Sequence, residues 1–170
     1  MPPIYPILLF AEHRPAARYN GRTMRTFAFR LRPGQDLKRE LIAFAERHAL
    51  AAPVVLTCVG SLTRLALRFA HATEPTVRTG FFEIVSLVGC VDPPRGHLHL
   101  SAADETGAVV GGHLLDGCEV YTTAEVVIGE LPGVAFRREW DEQSGYNELV
   151  VEPSSTGTMP WPAEPSGELS

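Results

Sequence analysis

RGHLHLSAADETGAVVGGHLLDG, residues 95–117, carries three of the chain's six histidines and a turn signal between them. HLHL alternates polar and apolar residues, the mark of a half-buried strand. DETG reads as a turn and AVVGGHLL as a second strand, so the stretch reads as a β-hairpin. Residues two apart on a strand share a side and sit roughly 6.6 Å apart along it, so His97 and His99 point one way while Leu98 and Leu100 face a core. The placement of His113 depends on the turn. A three-residue loop, Glu105-Thr106-Gly107 with the glycine left-handed, pairs Asp104 with Ala108 and sets His99 opposite His113. Opposed residues share a face, which makes His97 the diagonal neighbour. A two-residue loop would set His113 across from Leu98, on the wrong side, unless a bulge at Gly111 and Gly112 restored the phase.

Three neutral imidazoles with an open position suit zinc, with nickel, copper or iron as further candidates. His97, His99 and His113 are therefore the candidate metal ligands, and a divalent metal, zinc first, is the expected cofactor. A polar sheet face carrying histidines for hydrogen bonding or a subunit contact needs no metal. Asp116, Cys118 and Glu119 lie close in sequence and read either as surrounding or fourth ligands or as ordinary turn and core residues.

Working outward, Phe27, Phe29 and Leu31 alternate with Thr26, Ala28 and Arg30 as a strand, and Pro33-Gly34 turns the chain. Asp36 is placed to cap a helix on which Leu37, Leu41, Phe44, Ala45 and His48 recur at helical spacing. His48 reads as a partly buried side chain or a favourable charge at the helix's negative pole. PVVLTCVG, LTRLALRFA, FFEIVSLVGCV, CEVYTTAEVVIGEL, VAFRREW and NELVVE read as further strands, with turn signals at GS, PPRG, LPG and QSG. Many strands against one helix predict an α+β fold, an antiparallel or mixed sheet curled round the helix. Residues 1–20 read as an irregular lead-in, 21–152 as the domain, and 153–170 as a tail rich in proline, serine and glycine, either disordered or laid over a neighbour.

At 170 residues and 45% hydrophobic content, the chain can bury one core and is short for two domains. No apolar run is long enough to cross a bilayer and the start lacks a secretory pattern, so a cytoplasmic protein with no membrane partner is expected. Cys58, Cys90 and Cys118 are widely spaced without a CxxC pair, which reads as buried free thiols. The net charge of −5 opposes nonspecific nucleic-acid binding. Yet six arginines and no acid fall between Arg14 and Arg32, while acids and no base follow Glu139. That polarity can steer an anionic partner to one end; it can equally pair the two ends or two subunits.

GFFEIVSLVGCV, HLHLSAADETGAVVGGHLLDGCEVYTTAEVVIGEL and FRREWDEQSGYNEL, in that order, resemble the PPC domain, the plant and prokaryote conserved domain. RLRPGQDLKRELIAFAERHAL and Gly60 to Leu62 look like the same family's helix and following turn, and the resemblance covers about residues 23–152. It implies a sheet wrapped around a helix, assembled as a homotrimer. It also implies that His97, His99 and His113 fall where some prokaryotic members hold a divalent metal, near a subunit boundary that Glu83 or arginines of a neighbour could face. Prokaryotic members are commonly labelled DNA-binding proteins on the strength of plant relatives, in which an AT-hook enters the minor groove. This chain offers Gly21-Arg22-Thr23 and the reversed Arg32-Pro33-Gly34, neither of which is a hook.

Two functions follow. The first is a trimeric regulatory or assembly module with a metal site, binding a protein partner or, weakly and salt-dependently, DNA through the arginine-rich segment. The second is a small zinc-dependent hydrolase using a metal-bound water, with Glu83 or Glu119 as base. Nothing outside the histidines is poised for catalysis, which places the module ahead of the enzyme.

Overall fold

The computed structural model describes residues 23–154. The lead-in and all of the tail beyond Ser154 lie outside the described residues, as do Arg14, Arg18 and Arg22. Alternating phenylalanines build β1 (Arg25–Leu31), and Asp36 caps α1 (Leu37–Arg47) by accepting from the Arg39 backbone amide at 3.0 Å. Leu37, Leu41, Phe44 and Ala45, the periodic face, are the helix's buried residues. Phe44 stacks on Phe29 at 4.1 Å and meets Phe27 edge-on at 5.7 Å, so α1 lies over β1. His48 is the exposed C-cap residue, its ring 4.3 Å from that of Phe44.

The remaining elements are β2 (Pro53–Arg68), β3 (Thr76–Cys90), β4 (His97–Ala103), β5 (Val109–Leu114), β6 (Glu119–Glu130), β7 (Val134–Asp141) and β8 (Tyr146–Pro153). β1 to β6 form one sheet in the order β1-β6-β2-β3-β4-β5, and every described pairing in it is antiparallel, with no parallel member of a mixed sheet. The end of β2 also pairs with β5, Leu67 opposite Leu114 and Arg68 opposite His113. Strands β2, β3, β4 and β5 thus make a closed circuit of pairings, which removes a free edge beside the histidines. β7 and β8 stand apart as a two-stranded sheet.

The Gly60-Ser61 turn expected between PVVLTCVG and LTRLALRFA is not a turn. One 16-residue strand runs through it. A Cβ at Gly60 would lie 2.2 Å from the Thr123 carbonyl oxygen, so this glycine serves close backbone approach of β2 to β6. The buried Ser61 hydroxyl meets the Thr122 hydroxyl at 2.9 Å. Register shifts on both sides of Leu62 let β2 bury Leu65, Ala66 and Leu67 in succession, a pattern that simple alternation does not contain.

The core gathers Leu62, Leu65 and Leu67 of β2, Ile84 and Leu87 of β3, Leu98 and Leu100 of β4, Val126 and Ile128 of β6, and the buried face of α1. Cys58 and Cys118 are buried and Cys90 half-buried, all three free thiols. Burial pushes the Cys58 thiol up to about 12. Among the described residues, no helix is long and apolar enough to cross a membrane.

Candidate metal centre

The loop between β4 and β5 decides where the histidines go. The Asp104 amide donates to the Ala108 carbonyl at 3.0 Å and the Gly107 amide to the Asp104 carbonyl at 2.9 Å. Gly107 has φ +83°, the left-handed conformation that glycine adopts at least cost. The Asp104 carboxylate accepts from the Thr106 amide and hydroxyl and from the Ala108 amide, which holds the carboxyl below its ordinary range. This is the three-residue loop, and Ala103↔Val109 through His99↔His113 pair without a slip.

His99 therefore stands directly opposite His113. Pairing continues on both sides, Val88 of β3 opposite His99 and Arg68 of β2 opposite His113. Opposed residues share a face, so Val88, His99, His113 and Arg68 form one cross-strand row with His97 on its flank. Ring centroids are 5.2 Å apart for His97–His99, 5.2 Å for His97–His113 and 5.7 Å for His99–His113. Each ring offers a nitrogen such that the three nitrogens lie within 4.8 Å of one another. Zinc–nitrogen bonds of roughly 2.0–2.1 Å in a tetrahedron ask for nitrogen–nitrogen separations of about 3.4 Å.

Burial and nearby positive charge favour the neutral form of two of the rings, His113 and His97. Burial, then His97 and the Arg68 guanidinium, push His113 down to about 4, well under its ordinary 6.5. Burial and neighbouring His99 and Arg138 also lower His97. A neutral imidazole has the free lone pair that a metal needs. His113 Nδ1 is buried and has no hydrogen-bond partner, whereas His97 and His99 are exposed on the open side. An unsatisfied buried nitrogen costs roughly 1–3 kcal/mol, and a bound cation would satisfy it. The donor set and this orphaned atom fit a divalent metal of zinc type.

The other residues singled out go elsewhere. Cys118 is fully buried, exchanges contacts with the backbone of Ala66, and is pushed up to about 11, mainly by burial. Asp116 pairs with Lys38 and Arg39 at the helix start. Neither these two, nor Glu119 on β6, nor Glu83 on β3 belongs to the histidine cluster. Among the described residues, no carboxylate joins the three histidines at metal-ligand distance. Of the arginine-rich segment, Arg25 pairs with Glu130 at 2.8 Å and Arg30 donates to the Thr123 hydroxyl at 2.9 Å, both serving the β1–β6 seam.

Beside the histidines lie residues that the strand and turn patterns leave unmarked. Asp92, in the PPRG turn region, is buried and accepts two bonds from Arg138 of β7, from Nε at 2.8 Å and from Nη2 at 3.0 Å. Its one sequence signal is an acid flanked by valine and proline, VDPP.

These features define an antiparallel β domain with one packed helix and a three-histidine face at the junction of β4 and β5. The chain belongs to the Plants and Prokaryotes Conserved (PCC) domain family, whose model matches residues 18–132. It is 42% identical over 157 residues to a bifunctional protein GlmU of Synechococcus sp. (strain JA-3-3Ab), which covers 92% of this chain and 25% of that protein. The chain thus spans about a quarter of the length of that curated relative. An AT-hook motif nuclear-localized protein of Arabidopsis thaliana is 27% identical over 105 residues, 56% of this chain and 27% of that protein. A solved structure from Salmonella enterica is 43% identical with TM-score 0.76, covering 80% of this chain and 99% of that one. A metal-containing protein from Archaeoglobus fulgidus is 28% identical with TM-score 0.64, covering 74% of this chain and 93% of that one.

Proposed function

We propose that this chain is a homotrimeric regulatory or assembly module, holding one divalent metal, zinc by donor chemistry, between His97, His99 and His113. The observation that carries the metal is the convergence of one nitrogen from each of three histidines within 4.8 Å, together with the buried, unpartnered Nδ1 of His113. Three histidine ligands leave one position of a tetrahedral ion open for water or an outside group. The Archaeoglobus relative, which contains a metal, supports the same reading.

The trimer rests on the outer face of the sheet. Leu56 and Val59 of β2 and Val85 and Val88 of β3 are all exposed, the kind of apolar patch that marks an interface. Val88 lies in the same cross-strand row as the histidines, so a copy seated there borders the metal. The match to a quarter of a much longer relative favours a domain that works joined to, or beside, other proteins. Direct DNA contact would fall to Arg14, Arg18, Arg22 and Arg32, because Arg25 and Arg30 are engaged within the fold. With a net charge of −5 such contact is weak and steeply salt-dependent, and transcription-related action through a protein partner comes first.

Elemental analysis coupled to light scattering tests the reading. The expected result is stoichiometric zinc in a particle of three chains, with zinc lost in His99→Ala and in His113→Ala. Unchanged metal content in both variants would reject the site. A monomer at micromolar concentration would reject the assembly, and a mobility-shift series across salt measures whatever DNA affinity exists.

A further inference from the structure

A cavity of about 800 Å³ opens between the 92–96 loop and the β7–β8 hairpin, with His97, His113 and Arg68 among its lining residues. Small-molecule sites commonly occupy roughly 300–1,000 Å³. Its far wall is contributed by β7 and β8, which lie beyond the residues that the family model matches. The hairpin is held in place by polar contacts. The Asp92–Arg138 pair ties it to the 92–96 loop, and the Phe136 amide donates to the Ala51 carbonyl at 2.8 Å. The pair thus braces the wall while leaving the space beside it open.

Charge accounting shows what that space suits. Arg138 is committed to Asp92, and Arg137 to Glu139 and Glu152. Arg68 and Arg95, which also line the cavity, make no ion pair with any described residue. Against these two free guanidiniums stands one unpaired lining carboxylate, Glu148, whose field reaches Arg138 and His97. Phe136, half-buried on the same strand as Arg138 and two residues from it, adds an apolar surface. A planar guanidinium matches phosphate and carboxylate oxygens with paired hydrogen bonds.

We infer that this cavity binds a small organic anion, a phosphate or carboxylate on an apolar body, with Arg68 and Arg95 taking the anionic group and Phe136 the apolar part. The site does not require the metal. Calorimetric titration of the EDTA-treated full chain therefore tests it separately from zinc binding, using phenyl phosphate and benzoate as probes and benzyl alcohol as the neutral control. At least one anion is expected to bind saturably and about tenfold more tightly than benzyl alcohol. Phenyl phosphate ahead of benzoate assigns a phosphate ligand, and the reverse order a carboxylate. The double variant Arg68→Ala with Arg95→Ala should bind about tenfold more weakly. Arg78→Ala, exposed on β3, should bind as the unaltered chain does. If the double variant melts below the unaltered chain, Arg68→Gln with Arg95→Gln replaces it, with the same loss expected. No saturable binding of either anion, equal binding of benzyl alcohol, or undiminished affinity in the folded double variant overturns the inference.

Discussion

The β4–β5 and β7–β8 hairpins are built alike and held differently. Both turn through a glycine of positive φ, Gly107 at +83° and Gly145 at +73°, with an aspartate, Asp104 or Asp141, accepting from the loop amides. In β4–β5 the inward residues Leu98, Leu100, Ala102 and Leu114 are at most 1% exposed and belong to the main core. In β7–β8 no residue is buried, and the strands pair only with each other. A lone two-stranded hairpin is marginal in water, so this one depends on the Asp92–Arg138 pair and the Phe136–Ala51 backbone bond to the body. The lesson is that a common turn chemistry serves two ends. One hairpin seats three histidines on the core; the other, with no buried residue, forms a wall facing them.

The largest test of that contrast is a leucine on each hairpin. Leu100→Ala should cost about 2–5 kcal/mol of global stability, because it opens a cavity in the core, whereas Leu149→Ala, 39% exposed on β8, should change it by under about 0.5 kcal/mol. Comparable losses by chemical denaturation would mean that the two hairpins share one cooperative core. Next in size is Asp92→Asn, which leaves Arg138 without its charged partner and should cost about 1–3 kcal/mol. Hydrogen exchange should quicken across 134–153 while 97–114 keep their protection; uniform quickening would show that the pair braces the whole domain.

The smallest effect is one of pH. The folded His113 sits at about 4 against an ordinary 6.5, so the unfolded chain takes up its proton first. Its contribution is complete above about pH 6.5 and declines as pH falls toward 4, softened by solvent at the open side of the cluster. Melting of EDTA-treated protein should drop between about pH 7 and about pH 5, and His113→Gln should flatten that slope. An unchanged slope would assign the acid sensitivity to other groups.

Several of these elements are legible in the residues. Asp36 with the Leu37, Leu41, Phe44 spacing gives the helix, because capping and an apolar stripe act within a few residues. Asp104 to Ala108 gives the loop and thereby the convergence of His99 and His113. The continuous β2 was not legible at Gly60-Ser61, since a glycine that admits a neighbouring backbone has the same letter as one that turns. Nor was the Asp92–Arg138 contact, whose partners are 46 residues apart.

By itself the sequence determined the short-range geometry: which strands alternate, where the helix starts, and a glycine-bearing loop whose three-residue form, one of two readings, sets His99 against His113. Those outcomes depend on sterics and hydrogen bonds among near neighbours, which a few residue types encode. Only the tertiary structure decided that β2 would flank β5 and bring Arg68 beside His113, and that β7–β8 would close a cavity over the site. Such placements follow from burial summed over the whole core and from pairings distant along the chain, which no local pattern records.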